Sequence, residues 1–118
     1  MKLRIQGDTI RYRLNRVEVE AFANSGRTES IIHFLSSSLR YTLEMDGTAA
    51  DVRAEYEPGL IRVLVPSALG ARWARGDEVA MEGNQAQLSI LIEKDFQCLH
   101  KGEEARDLDA YPNPAAVA

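Results

Sequence analysis

The sequence predicts an α+β domain in which a ββαββ unit occurs twice. Apolar and polar residues alternate with period two in several short segments, which is typical of half-buried strands. A short amphipathic stretch that ends at a glycine lies at matching places in the two halves. Residues 10–14 (IRYRL) align with residues 61–65 (IRVLV), and residues 39–46 align with residues 88–95. The order, type and period of the elements match, so we interpret the chain as an internal duplication. The alternative is that two unrelated ββα patterns resemble each other.

The length and composition fit a single globular domain. The chain has 118 residues, of which 45% are hydrophobic, and this is enough for one shared core. Copy one (about 2–46) and copy two (about 51–95) are each too short for a core of their own. We therefore expect one duplicated domain over residues 1–99, followed by an irregular acidic tail over residues 100–118.

Four strands are predicted in the first copy. Residues 2–6 and 9–14 alternate strictly, and the turn signal Gly7-Asp8 joins them into a hairpin. After the first helix, residues 29–34 and 39–45 show the same period and are connected by three serines.

The first helix is predicted to begin at Asn15. With Glu18 three residues later, Asn15 can form a capping box, in which each side chain binds the backbone amide of the other residue. Val17 and Phe22 are expected to face the core, and Gly26 is expected to end the helix in a left-handed conformation.

The second copy repeats this order. Pro66-Ser67 opens its helix, Leu69 and Trp73 lie four residues apart on the apolar side, and Gly76 closes it. The second strand of this copy is almost wholly apolar and is predicted to be central and covered on both sides. The predicted strands are residues 52–57, 60–65, 78–82 and 87–93. We expect the eight strands to form one mainly antiparallel sheet with two short helices on its apolar side, and a closed barrel is the open alternative.

Charge and cysteine content narrow the class of protein. The net charge of −4 and the pI of about 5.2 argue against a nucleic-acid partner. The first six residues alternate charge with apolar side chains, unlike a signal peptide, and no apolar run reaches the ~18 residues of a membrane span. A single cysteine excludes an internal disulfide. We therefore expect a cytoplasmic protein with no membrane partner.

Both ends of the chain resemble a small uncharacterised bacterial family, a domain of unknown function. The resemblance lies in the opening residues 1–7 (MKLRIQG) with residues 10–14, and in residues 93–99 (EKDFQCL) followed by residues 109–114 (DAYPNP). It covers nearly the whole chain. Membership implies the domain boundaries and draws attention to the C-terminal motif, and it implies no activity.

Arginines on the polar strand faces are the first candidate site. The simplest interpretation is a solvated face with cross-strand ion pairs, each worth only ~0.2–1 kcal/mol. A closed eight-stranded barrel would instead turn these arginines inward, where guanidinium forks bind phosphate. The candidate anion ligands are Arg11, Arg13, Arg40 and Arg53.

Such a barrel resembles the triphosphate tunnel hydrolases. On this hypothesis Glu55 and Glu57, on one face of a strand, would hold Mg²⁺ or Mn²⁺ with bound phosphates. The signature of that family is a Glu-x-Glu-x-Lys run on the first strand. This chain has KLRIQ at residues 2–6, which departs from it.

Cys98 and His100 are the second candidate site. Thiolate and imidazole are zinc ligands, and Glu103, Asp107 and Asp109 can complete a site. The alternative is that Cys98 is a small apolar filler after a buried strand. The other histidine, His33, follows two isoleucines, and we expect a structural or edge-strand role for it.

A non-catalytic binding module is the leading function hypothesis. The sequence has no Gly-rich phosphate loop, no dinucleotide fingerprint, no Ser-His-Asp trio and no metalloprotease helix motif, which argues against an enzyme. The stiff residues 111–114 (YPNP) could dock on the domain itself or bridge a homodimer. We therefore expect a homo-oligomer without a required cofactor.

The alternative function is a triphosphate- or polyphosphate-binding tunnel protein. Its ligand would be a small anion, with or without metal-dependent phosphohydrolase activity.

Overall fold

Eight strands and two helices make up residues 1–96, the part of the chain that the computed structural model describes. The class is α+β, and the elements follow the predicted ββαββ order twice. They are β1 (Lys2–Gln6), β2 (Thr9–Leu14), α1 (Arg16–Ser25), β3 (Arg27–His33), β4 (Ser38–Asp46), β5 (Arg53–Glu57), β6 (Leu60–Pro66), α2 (Ser67–Arg75), β7 (Ala80–Gln85) and β8 (Leu88–Lys94).

The strands form two four-stranded mixed sheets. The first sheet has the order β1-β2-β8-β7 and the second has the order β3-β4-β6-β5. Outer pairs are antiparallel, whereas the central pairs, β2 with β8 and β4 with β6, are parallel. The prediction of a single eight-stranded sheet is therefore wrong, and the described strands do not close into a barrel. The physical reason is that each hairpin pairs with a hairpin from the other half of the chain, and alternation within a strand carries no information about its partner.

The two sheets have corresponding registers. In the first sheet Thr9 lies beside Ser89, and in the second sheet Leu60 lies beside Arg40. The alignment of the two halves places Thr9 on Leu60 and Arg40 on Ser89, so both parallel pairs start at matching positions. The strand β6 is central in its sheet, as predicted, and even Leu64 on its outer face is buried.

Helix α1 begins with the predicted capping box. The Asn15 side chain accepts from the Glu18 amide and the Glu18 side chain accepts from the Asn15 amide, both at 2.9 Å. Gly26 ends the helix with a φ of 77°, in the left-handed region. Phe22 is buried, as predicted, whereas Val17 is exposed and Val19 is buried instead. Val19 lies on the side that packs against the rest of the domain.

Helix α2 packs on α1 and β6 through Trp73 and Gly70. The Trp73 indole is fully buried, its N–H donates to the Val79 carbonyl at 3.1 Å, and its ring meets Phe22 edge-on at 6.0 Å. A Cβ at Gly70 would lie 3.1 Å from both Phe22 Cζ and Val65 Cγ2. A glycine therefore permits this close approach. Neither described helix is long and apolar enough to cross a membrane.

A single core draws on both sheets and both helices. The inner faces of the sheets meet directly, since the rings of Tyr12 and Tyr41 lie 5.9 Å apart. On β2, β4, β6 and β8 the alternating apolar residues point inward, as the period predicts, whereas Ile31 and Ile32 of β3 are both exposed. The buried members of the core are Tyr12, Leu14, Val19, Phe22, Leu43, Val52, Val63, Val65, Trp73, Met81, Ile90 and Ile92.

The two sheets are also joined along one side, where β7 passes the segment before β5. A Cβ at Gly83 would lie 2.6 Å from both the Cβ and the carbonyl oxygen of Val52. The Gln85 side chain accepts from the backbone amide of Ala54 at 2.7 Å. Only a residue without a side chain permits this approach, because the obstacle is backbone.

We expect Gly83→Ala to lower the free energy of unfolding by about 1–3 kcal/mol, because the methyl group overlaps the Val52 backbone. The matched control is Gly47→Ala, where the new Cβ would lie an ordinary 3.8 Å from Ser67 Oγ. The control should stay within about 0.5 kcal/mol of the wild type. Urea denaturation of both variants measures the difference, and equal stabilities would contradict the proposed close contact.

The hydroxyl of Tyr12 is buried without a hydrogen-bond partner in the described residues. Burial is the main cause that raises the pKa of this hydroxyl above the usual range for tyrosine, and the nearby Tyr41 and Glu44 add to the effect.

Because an unpartnered buried hydroxyl destabilises a fold, we expect Tyr12→Phe to raise the free energy of unfolding by about 1 kcal/mol. Tyr41 is the matched control, since its hydroxyl donates to the Met1 carbonyl at 2.6 Å. Tyr41→Phe should lower stability by about 1 kcal/mol, and the reverse order in urea denaturation would contradict this account.

Candidate functional site

The outer face of the second sheet carries an ion-pair network centred on Arg62 of β6. Its guanidinium donates to both carboxylate oxygens of Glu44 at 3.0 Å and to Glu55 at 3.0 Å. The buried Thr42 hydroxyl donates to Glu44 at 2.6 Å. A bidentate Arg–carboxylate pair is the strong form of this interaction, so the network holds β4, β5 and β6 together.

Glu44 is the carboxylate most affected by this network. The hydrogen bonds from Arg62 hold the pKa of Glu44 below its usual value, although partial burial acts in the opposite direction. The same hydrogen bonds raise the pKa of Arg62. Both charges are satisfied within the sheet, which gives them a structural role.

The outer face of the first sheet has a different charge balance. Four cations, Lys2, Arg4, Arg11 and Arg13, project from β1 and β2 in adjacent rows. Two carboxylates at the end of β8 contact three of them. Glu93 lies 3.5 Å from Arg11 and 2.9 Å from Arg13, and Asp95 lies 2.7 Å from Lys2. The hydrogen bond from Lys2 holds the pKa of Asp95 below its usual value.

The four arginines of the predicted anion site do not converge. Arg11 and Arg13 lie on the first sheet, whereas Arg40 and Arg53 lie on the second. On the second sheet Arg40 lies 3.3 Å from Glu29 and Arg53 lies 3.2 Å from Asp46. The polar faces point away from the core, so no tunnel encloses them in the described structure.

Glu55 and Glu57, the predicted Mg²⁺ or Mn²⁺ ligands, line a cleft of about 280 Å³ on β5 and β6. Arg62 lines the same cleft and its Nη1 lies 3.0 Å from Glu55, so it already supplies a positive charge there. Within residues 1–96 no three metal-ligating side chains gather into a site. The predicted zinc ligands Cys98 and His100, and the whole acidic tail, lie outside the described residues.

Sequence reasoning missed a cleft of about 380 Å³, which lies between the start of α1, the end of α2 and the end of β8. Its lining includes Arg16, Val19, Ala74 and Phe96. These residues come from three distant parts of the chain, so no local motif signals the cleft.

The edge strand β3 was also missed as a functional element. Its exposed fractions are 42% for Ile31 and 48% for Ile32, and the turn that follows exposes Phe34 and Leu35. Of the two expectations for His33, a structural or an edge-strand position, the structure places it on this edge strand. The signal for this edge in the sequence is the run IIHFL at residues 31–35, which contains four large apolar side chains.

The network around Glu44 has a pH dependence whose sign follows from the direction of the pKa shift. A depressed folded-state pKa adds stability above the unfolded-state pKa of about 4.3, and this stability is lost as pH falls through the folded-state pKa. We expect Glu44→Gln to lower the free energy of unfolding by about 1–2 kcal/mol at pH 7 and to flatten its decline between about pH 5 and pH 3.

The control for this prediction is Glu29→Gln, which alters exposed ion pairs on the same face. It should change stability at pH 7 by no more than about 0.5 kcal/mol. Urea denaturation across this pH range measures both variants. An unchanged acid slope in Glu44→Gln would contradict the assigned role of Glu44.

The comparison with known proteins yields a family assignment. No curated protein and no solved structure matches the chain. A family model described as a family of unknown function (DUF7009) matches residues 1–115. That span includes both sheets, both helices and most of the C-terminal segment, so the chain belongs to this family of unknown function.

Proposed function

We propose that this domain is a non-catalytic interaction module that self-associates through β3. The observation that carries the proposal is the apolar half of this edge strand. Ile31 and Ile32 point to opposite faces of the sheet and both are exposed. An exposed apolar edge with unpaired backbone groups is a template for pairing with another strand.

The other three sheet edges differ from this half of β3. Charged side chains on an edge strand discourage pairing between sheets. Residues 30–33 of β3 contain no Lys, Arg, Asp, Glu or Pro. The charged residues on the other edges are Lys2 and Arg4 on β1, Arg53, Glu55 and Glu57 on β5, and Glu82 on β7.

A second copy of the chain is the partner that fits this edge. Two antiparallel β3 strands related by a two-fold axis bring the same apolar residues of each copy together, as a closed symmetric dimer requires. The second sheets of two copies then form one continuous sheet. Pairing also covers the apolar side chains and satisfies the free backbone groups of both edges.

We further infer that the domain arose by internal duplication. The corresponding registers of the two central parallel pairs support this origin, since matching positions of the two halves occupy matching places in the two sheets. The dimer proposed here uses β3 and not its counterpart β7. The two strands differ in their exposed apolar side chains.

We expect Ile31→Lys to weaken the homodimer by at least about tenfold, because a charge at the centre of the edge must be desolvated on pairing. Light scattering coupled to size exclusion over a concentration series measures the change. Ile5→Lys is the matched control, since Ile5 is an exposed isoleucine on the edge strand of the first sheet.

The Ile5→Lys variant should associate as the wild type does. Both substitutions are at exposed sites, so monomer stability should change by no more than about 0.5 kcal/mol. A wild-type chain that is monomeric at all concentrations, or an Ile31→Lys variant that still dimerises, would exclude this interface.

A further inference from the structure

Two pairs of cations face each other across the first hairpin. In the antiparallel pair β1–β2, Arg4 lies directly opposite Arg11, and Lys2 lies directly opposite Arg13. Like charges at directly opposed positions destabilise a sheet. The two pairs occupy neighbouring rows on one face of the first sheet. The repulsion between these cations is unfavourable, and a bound anion would reduce it.

The second sheet shows the balanced form of the same arrangement. It contains β5–β6, the first hairpin of the second copy, where Glu55 lies opposite Arg62 at the position that Arg4 and Arg11 occupy in β1–β2. Glu55 and Arg62 form an ion pair at 3.0 Å. Where the second sheet has a carboxylate, the first sheet therefore has a second guanidinium.

Among the residues that the structure describes, the carboxylates near this face do not contact Arg4. Glu93 and Asp95 contact the other three cations. The Arg4 guanidinium donates to the Gln6 side-chain oxygen at 3.3 Å, and no ion pair joins it to a carboxylate within residues 1–96. In the described residues 1–96, Glu93 and Asp95 are the carboxylates that pair with cations of this face.

The shape of this face limits the size of a ligand. One cleft of about 180 Å³ is lined by all four cations, and a second of about 110 Å³ lies between Arg4, Arg11 and the polar residues Gln6 and Thr9. Residues two apart along a strand lie ~7 Å apart, and opposed residues lie ~5 Å apart. This footprint suits adjacent phosphate groups, each of which accepts two hydrogen bonds from a guanidinium fork.

We propose that the outer face of β1–β2 binds a short phosphate chain, with Arg4 and Arg11 as its principal ligands and with Lys2 and Arg13 beside them. The outer face of this hairpin carries no aromatic side chain on which a base could stack, so the recognised chemistry is the phosphate chain itself. The site is on the first sheet and is independent of the β3 interface on the second sheet.

Isothermal titration of the full-length protein with inorganic tripolyphosphate tests the site, with sodium sulfate at equal ionic strength as the reference anion. We expect Arg4→Glu to weaken tripolyphosphate binding by about tenfold to a hundredfold, because it removes a charge-assisted fork and adds a repelling carboxylate. The same variant should melt at a higher temperature than the wild type without ligand, because the introduced carboxylate would pair with Arg11 as Glu55 pairs with Arg62.

The matched control is Arg40→Glu, which makes the same change in net charge on the outer face of the second sheet. It should bind tripolyphosphate as the wild type does. Binding that is absent in the wild type, equal for sulfate, or unaffected by Arg4→Glu would overturn the proposal. Ile31→Lys separates this site from self-association, since a monomeric variant should retain tripolyphosphate binding.

Discussion

The exchange of hairpins between the two halves of the chain determines the rest of the structure. Each sheet contains one hairpin from the first half and one from the second, joined by the parallel pairs β2–β8 and β4–β6. A half on its own has two separate hairpins and a helix, with no complete sheet. The core therefore forms only when both halves are present, and residues 80 apart, such as Thr9 and Ser89, become neighbours.

Pairing across the halves also decides where charge and apolar surface can appear. Since both inner faces are used by the common core, the polar faces of both sheets point outward. The second sheet satisfies its charges internally through Arg62, Glu44 and Glu55. In the first sheet Glu93 and Asp95 pair with Lys2, Arg11 and Arg13, but Arg4 occupies the position where a carboxylate would complete the pattern. Corresponding positions thus form an ion pair on the second sheet and place two arginines opposite each other on the first.

Local features were predictable from the sequence, and long-range pairing was not. The Asn15–Glu18 capping box and the inward alternation of Ile10, Tyr12 and Leu14 depend on neighbours within a few residues. The division into two sheets depends on which strand lies beside β2, and alternation is the same for every candidate partner. The predicted arginine set failed to converge for that reason, since its four members were assigned to one enclosed sheet.

The location of Arg4 explains why sequence reasoning did not include it in the anion site. In the sequence Arg4 is one of several charged residues that alternate with apolar ones, and residues 2–6 (KLRIQ) show nothing beyond this alternation. Arg4 becomes a candidate anion ligand only because Arg11 lies opposite it. The corresponding pair in β5–β6 is Glu55 and Arg62, which have opposite charges. The β3 edge and the basic face lie on different sheets. Pairing two copies through β3 therefore adds no strand to the first sheet of either copy, and each dimer would present two separate basic faces.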